Sequence, residues 1–225
     1  MNKNLWVIAN WKSNKTIREA LDWVSYVGPK IPKIDPSADG LKVVVCPAFS
    51  ALSEVKKAVA VGNYPLVVGS QDLSPYNVGA YTGEEAAPLL KDLVSLSIIG
   101  HSERRENFTE TDEIVAQKVK RAVENNITPL VCVQGSDTLV SDGCKLVAYE
   151  PVFAIGTGNP DTPDNAEVVA RGIKSLYGED VEVLYGGSVT SENIKSFIDM
   201  ENISGSLIGR ASLNAEEFVK IITSL

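Results

Sequence analysis

The chain has 225 residues, 44% of them hydrophobic, and a formal net charge of -8, which suits one domain with a single core and argues against general binding to nucleic acid or anionic membranes. No stretch approaches the roughly 18 apolar residues of a membrane span, and the signal-peptide pattern is missing, so we expect a cytoplasmic protein. The three cysteines, Cys46, Cys132 and Cys144, lack CxxC spacing and predict neither a disulfide framework nor a zinc site.

Eight short apolar runs predict strands along the chain. Their near-continuous hydrophobicity is typical of strands buried on both faces of a parallel sheet. The runs are residues 6–9, 43–46, 66–69, 97–99, 129–132, 146–149, 183–185 and 206–208.

Amphipathic helices are predicted between most of these strands. One runs over residues 111–125 with an apolar stripe, and another follows Pro163. Thr162 before Pro163, Ser191, and Asn214 with Glu217 three residues later are typical helix starts. The two stripes are Val115, Val119 and Ala122, and Val169, Ile173 and Leu176.

This alternation favours an eight-stranded parallel (β/α)8 barrel, with residues 1–225 forming one barrel domain. A doubly wound open sheet also alternates strands and helices, so periodicity alone leaves both architectures open.

In such a barrel, chemistry belongs at the carboxyl ends of the strands. Those ends carry Asn10, Lys12, His101, Glu103 and Glu150, together with two glycine-containing turns at residues 186–188 and 209–210. Each has an ordinary alternative: a lysine is often a surface charge, a histidine a structural hydrogen-bonding residue, and a glutamate before proline a turn residue. Their expected convergence at one mouth favours a site.

The motifs resemble those of the triosephosphate isomerase family, in the same order and over essentially the whole chain. They are Ala9-Asn10-Trp11-Lys12, Ile99-Gly100-His101-Ser102-Glu103-Arg104-Arg105, residues 148–158, which begin Ala148-Tyr149-Glu150-Pro151, and Tyr185-Gly186-Gly187-Ser188-Val189.

The resemblance implies an isomerase of glycolysis and gluconeogenesis that interconverts D-glyceraldehyde 3-phosphate and dihydroxyacetone phosphate through an enediolate. Glu150 would be the general base, while neutral His101, Lys12 and Asn10 would stabilise the oxyanion. Glu103 would have a supporting role, and its alternative is a salt bridge to Arg104, Arg105 or another basic group. The reaction implies no metal and no organic cofactor.

The resemblance also implies a phosphate site and a closing lid. The phosphate would be held by Gly156, Gly187, Ser188, Gly209 and Arg210. The lid would exclude water from the enediolate; its residues are Pro151, Val152, Phe153, Ala154, Ile155, Gly156, Thr157 and Gly158.

A long loop from Gln71 to Glu84 resembles the segment that joins two subunits in the family, with Thr82 reaching the partner. We therefore expect a homodimer, with association of dimers into a tetramer left open. A loop rich in proline and glycine could also be a plain surface excursion.

The chain departs from the family pattern in four places. Phe153 stands where tryptophan is usual, and Gly135 where a glutamate would bond that indole. Pro160 lies in the far lid hinge, and Arg210 replaces a glycine. Only seventeen residues separate Cys132 from Glu150, so the fifth helix is predicted to be truncated or missing.

Two competing functions are weighed against this one. Another barrel enzyme with a phosphorylated substrate would share the phosphate cradle but need a different acid–base set. A non-catalytic barrel would be expected to lose Lys12, His101 or Glu150, and all three are present.

Overall fold

The computed structural model describes residues 4–32, 40–151 and 159–225. Eight parallel strands pair in chain order, and the first also pairs with the last, so the sheet closes into a barrel. This closure confirms the (β/α)8 prediction and excludes the open doubly wound sheet, whose edge strands stay unpaired. The strands are β1 Leu5–Asn10, β2 Leu41–Cys46, β3 Val67–Ser70, β4 Leu96–Ile99, β5 Thr128–Val133, β6 Leu146–Tyr149, β7 Glu182–Tyr185 and β8 Ile203–Ile208.

The helices surround the barrel unevenly. Both α4 and α5 lie between β4 and β5, whereas residues 134–145 connect β5 to β6 without a helix, which confirms the prediction for the fifth helix. Val140 and Cys144 are buried in this connection and cover part of the flank instead. The helices are α1 Ile17–Val27, α2 Phe49–Gly62, α3 Ala87–Leu90, α4 Ser102–Phe108, α5 Asp112–Glu124, α6 Pro163–Tyr177, α7 Ile194–Ile198 and α8 Ala215–Thr223.

Most helix starts follow the predicted local chemistry. The side chain of Thr162 accepts a hydrogen bond from the backbone N–H of Asn165, and Asn214 caps α8 in the same way. Such bonds satisfy N–H groups that have no partner inside the helix. The expectation for Ser191 is wrong, because α7 begins only at Ile194, after Asn193.

The buried face of α6 differs from the predicted stripe. Of the predicted residues, Ile173 is fully buried as expected, Val169 is only partly buried and Leu176 is 64% exposed, while Ala166 and Ala170 complete the buried row. This row follows the i, i+4, i+7 spacing of one helix face. The stripe in α5 is confirmed, since its predicted residues Val115, Val119 and Ala122 are all buried.

The core has two layers because strand side chains alternate between the two faces of the barrel wall. One layer fills the barrel interior, and the other lies between the strands and the helices. In β1, for example, Ile8 belongs to the interior layer, while Val7 and Ala9 pack against the helices. This packing fixes the strand ends that form the mouth.

Candidate active site

A cavity of about 820 Å3 opens at the carboxyl ends of the strands. All but two of the predicted site residues that the structure describes line this cavity. The two exceptions are Pro151 and Thr82. The predicted residues that line it are Asn10, Lys12, His101, Glu103, Glu150, Gly187, Ser188, Gly209 and Arg210. The predicted lid residues 152–158, including Gly156, lie outside the described residues.

His101 is held at the N-terminus of α4 with one ring nitrogen as an acceptor. The backbone N–H of Glu103 donates to its Nδ1 at 3.2 Å. Its Nε2 lies 3.0 Å from Oε1 of Glu150. An acceptor at Nδ1 and a carboxylate at Nε2 fit the neutral tautomer with its proton on Nε2. The N-terminal end of a helix also disfavours added positive charge.

Glu150 is a buried carboxylate with defined donors, only 2% exposed. Its Oε2 accepts from the backbone N–H of Ser102 at 2.9 Å, and Oε1 faces His101. Burial raises the pKa of Glu150, but the contact with His101, whose Nε2 donates to the carboxylate, and the hydrogen bond from Ser102 outweigh it, so the pKa lies below its ordinary value. Glu150 is therefore ionised near neutral pH and able to accept a proton.

Lys12 adopts an unusual backbone conformation, with φ of 54°. Non-glycine residues in this left-handed region are uncommon and need support from their surroundings. Oδ1 of Asn10 accepts from the Lys12 N–H at 3.1 Å, and Gln71 Nε2 donates to the Lys12 carbonyl at 2.9 Å. In the sequence, Gln71 stands out only as part of the long loop, since no local signal links residues so far apart in the chain.

Glu103 pairs with Lys12, whose Nζ lies 2.5 Å from its Oε1. The alternative partners named from sequence are engaged elsewhere: Arg104 contacts Asp72, and Arg105 contacts Asp112. Glu103 therefore forms a salt bridge with a basic group, and its supporting catalytic role stays a prediction.

The glycines of the mouth allow close packing. A Cβ at Gly186 would lie 2.9 Å from Cγ of Glu150, and one at Gly187 would lie 2.2 Å from the Tyr185 hydroxyl. Side chains at either position would displace neighbouring groups. At Gly209, a Cβ would lie 3.5 Å from Cε of Lys12, so the β8 turn and the lysine are neighbours.

Comparisons with known proteins agree with this geometry. A model of the triosephosphate isomerase family matches residues 5–145 and 140–225. The chain is 39% identical over 249 residues to a triosephosphate isomerase of Alkaliphilus oremlandii, covering 96% of this chain and 97% of that protein. It is 37% identical to one of Rubrobacter xylanophilus, with 95% and 94% covered, and 38% identical to one of Mycoplasma mobile, with 96% and 98% covered.

The chain belongs to the triosephosphate isomerase family. This assignment places it among enzymes of the isomerase class. The alignment of 249 residues exceeds the 225 residues of this chain, so that relative has segments missing here.

Behind His101, this triosephosphate isomerase family member carries a buried ionic cluster. Lys118 Nζ lies 2.6 Å from Oδ1 of Asp72 and 2.6 Å from Oε2 of Glu110. Arg104 Nε contacts the same two carboxylates at 2.9 and 2.7 Å. Glu110 Oε1 accepts from the N–H of Gly100 at 3.1 Å. The cluster therefore joins the long third loop to the residue before His101.

The structure describes only some of the residues that depart from the triosephosphate isomerase pattern. Gly135 and Pro160 are described, but Phe153 lies outside the described residues. Thr82 is exposed on the long loop and does not line the cavity. Within the described ranges, no helix is both long and apolar enough to cross a membrane.

Proposed function

We propose that this chain is a triosephosphate isomerase that interconverts D-glyceraldehyde 3-phosphate and dihydroxyacetone phosphate. The supporting observation is the pairing of the buried Glu150 carboxyl group with Nε2 of His101 at 3.0 Å, in a cavity that Lys12 also lines. The reaction belongs to glycolysis and gluconeogenesis. The chain acts as one catalytic domain over residues 1–225, in the cytoplasm.

Glu150 is the general base of the proposed reaction. Its carboxylate takes the proton from the carbon next to the carbonyl, and the electron pair of that C–H bond moves to form the enediolate. The carboxylic acid then returns the proton to the adjacent carbon, and the proton of the remaining hydroxyl group moves to the oxyanion, so that hydroxyl and carbonyl exchange places. A lowered pKa keeps the carboxylate ionised before the first step. The transfer requires neither a metal nor an organic cofactor.

Three neighbouring side chains stabilise the developing oxyanion. Neutral His101 donates from Nε2, Lys12 supplies a positive charge, and Asn10 supplies its side-chain amide. Asn10 and His101 are each 5% exposed, so their donors are largely removed from water. Hydrogen bonds are stronger in such a buried environment than in water. Glu103 supports the site by holding the ammonium of Lys12.

The phosphate binds at the turns after β7 and β8. Gly187, Ser188, Gly209 and Arg210 line this side of the cavity, and Gly156, which lies outside the described residues, is proposed as a further phosphate ligand. Backbone donors and a nearby arginine are suited to a dianionic group in a protein whose net charge is -8. Residues 151–158 form the lid that excludes water from the intermediate.

The long loop carries the proposed dimer contact through Thr82. Tyr76 and Tyr81 stack with ring centroids 4.3 Å apart and remain 45% exposed, and Val78 is 61% exposed. Exposed apolar side chains gathered on one loop favour an interface over a plain surface excursion. Dimer and tetramer are distinguished by sedimentation equilibrium.

A coupled assay with glyceraldehyde 3-phosphate in the presence of a metal chelator tests the proposal. We expect full isomerase activity in chelator, because proton transfer depends only on side chains. Glu150→Gln should keep the fold and the affinity for inorganic phosphate but lose nearly all turnover, since an amide cannot accept the proton. No isomerisation by the intact protein, a metal requirement, or an active Glu150→Gln would contradict the proposal.

A further inference from the structure

Asp161 is a buried carboxylate where β6, β7 and α6 meet, and it is 8% exposed. Its Oδ1 accepts from the N–H of Thr162 at 2.8 Å. Its Oδ2 accepts from Asn165 Nδ2 at 2.7 Å and from the Tyr149 hydroxyl at 3.1 Å. The N–H of Asp161 donates to the Tyr185 hydroxyl at 2.8 Å. A carboxylate removed from water requires such a set of donors, so its position is closely defined.

The two tyrosines end the strands that carry the site. Tyr149 is the last residue of β6 and precedes Glu150, while Tyr185 is the last residue of β7 and precedes Gly186. The N–H of Gly186 donates to the Tyr149 carbonyl at 2.7 Å. Because Tyr149 and Glu150 share a peptide bond, a displacement of Tyr149 would be transmitted to the backbone of Glu150.

The hydroxyl groups of both tyrosines remain protonated near neutral pH. Burial, reinforced by the neighbouring Asp161, raises the pKa of Tyr149 well above its ordinary value. Burial also raises the pKa of Tyr185 to about 12. The Tyr185 ring is further fixed by stacking on Phe197, with centroids 3.9 Å apart. Tyr149 has no such close stacking partner among the ring contacts of the described residues, and its hydroxyl is held by Asp161.

We propose that Asp161 is a positioning residue for the reaction. Its carboxylate fixes the Tyr149 hydroxyl, and the end of β6 then holds the Glu150 carboxylate against Nε2 of His101. The inference rests on the proposed function, because it assumes that Glu150 is the base. Asp161 does not line the cavity, so its carboxylate acts through Tyr149.

Variants that keep the backbone N–H of residue 161 test this role. Asp161→Ala removes the acceptor, and Tyr149→Phe removes the donor of the same hydrogen bond. We expect each to lower kcat about tenfold, since small displacements of a reacting group are costly. KM and the inhibition constant of inorganic phosphate should change less than about twofold, because the phosphate side is untouched. Asp161→Asn keeps one acceptor oxygen and should fall between wild type and Asp161→Ala.

Thr162→Ala is the matched control for lost helix capping. It removes the bond to the Asn165 N–H and should lower Tm by about 2–4 °C with kcat unchanged. All assays are run where circular dichroism shows a folded variant. If Asp161→Ala does not fold, Tyr149→Phe and Asp161→Asn carry the test.

The double variant Asp161→Ala/Tyr149→Phe should be no slower than the slower single variant, since both remove one interaction. If the kcat of the double variant falls by the product of the two single losses, the inference is overturned. Wild-type kcat in Tyr149→Phe would overturn it as well. Glu150→Gln is measured in parallel. If Glu150→Gln is active, the proposed function fails. If Glu150→Gln is inactive but Tyr149→Phe has normal kcat, only the role of Asp161 is overturned.

Discussion

Nε2 of His101 lies 3.0 Å from Oε1 of Glu150, although the two residues are far apart in the chain. The proposed base and the proposed oxyanion donor therefore share one hydrogen bond in the cavity. Lys12 and Glu103 form a second pair in the same mouth. A bound substrate must replace these internal contacts with contacts to its own carbonyl and hydroxyl groups. Substitutions in either pair should therefore change kcat.

His101→Gln should lower turnover far more than it weakens ligand binding. The imidazole is proposed to act on the developing oxyanion, and loss of such a donor lowers kcat by roughly 10²–10³-fold. The inhibition constant of inorganic phosphate should change by less than about threefold. Both quantities are measured on one folded sample. Equal losses in kcat and binding would indicate general damage to the site.

The same substitution should change the pH dependence of the reaction. In the wild type the pKa of Glu150 is lowered. The carboxylate therefore stays ionised at pH values where an ordinary glutamate is already protonated, and it loses its charge only as the pH falls through the lowered pKa. Without His101, fewer contacts stabilise the ionised carboxylate against the effect of burial, so the pKa of Glu150 should rise.

The measurement is the acid limb of kcat/KM against pH, which reports the free enzyme. It should lie at higher pH in His101→Gln than in the wild type. An acid limb at the same pH in both proteins would show that His101 does not set the ionisation of Glu150.

Lys12→Met should impair both binding and turnover, because the ammonium faces the substrate in the ground state and in the transition state. We expect kcat/KM to fall at least about 10²-fold, with a raised KM. Lys42→Met is the control, since Lys42 stacks over Trp6 in strands away from the mouth. A fully active Lys12→Met would remove the proposed electrostatic role.

Lys118→Met should destabilise the protein, because Lys118 is 2% exposed and neutralises Asp72 and Glu110. Removing one member of a buried ionic cluster leaves uncompensated charge and costs about 3 kcal/mol of unfolding free energy. Urea unfolding measures this loss.

Lys120→Met on the same helix serves as the control. Lys120 pairs with Glu124 at 4.0 Å with side chains 70% and 44% exposed, and a surface pair contributes less than about 1 kcal/mol. Similar unfolding free energies for Lys118→Met and Lys120→Met would contradict the structural role of the cluster.

The apolar strand runs were readable in the sequence because strands buried on two faces need continuous hydrophobicity. Thr162 before Pro163 was readable for a similar reason, since a helix cap is satisfied by residues within one turn. The α6 stripe was only partly readable: Ile173 is buried as predicted, but Leu176 is 64% exposed and the smaller Ala170 is buried, because tertiary packing decides which face of a helix meets the strands.

The sequence by itself determined the residue types at each strand end: Lys12, His101 and Glu150 follow local runs that place them at a barrel mouth. Only the tertiary structure decided their partners. Gln71 supports the backbone of Lys12, and Asp161 accepts from the tyrosine before Glu150. Local propensities act over a few residues, whereas these contacts depend on barrel closure and on the register of strands distant in the chain, which the short-range pattern does not encode.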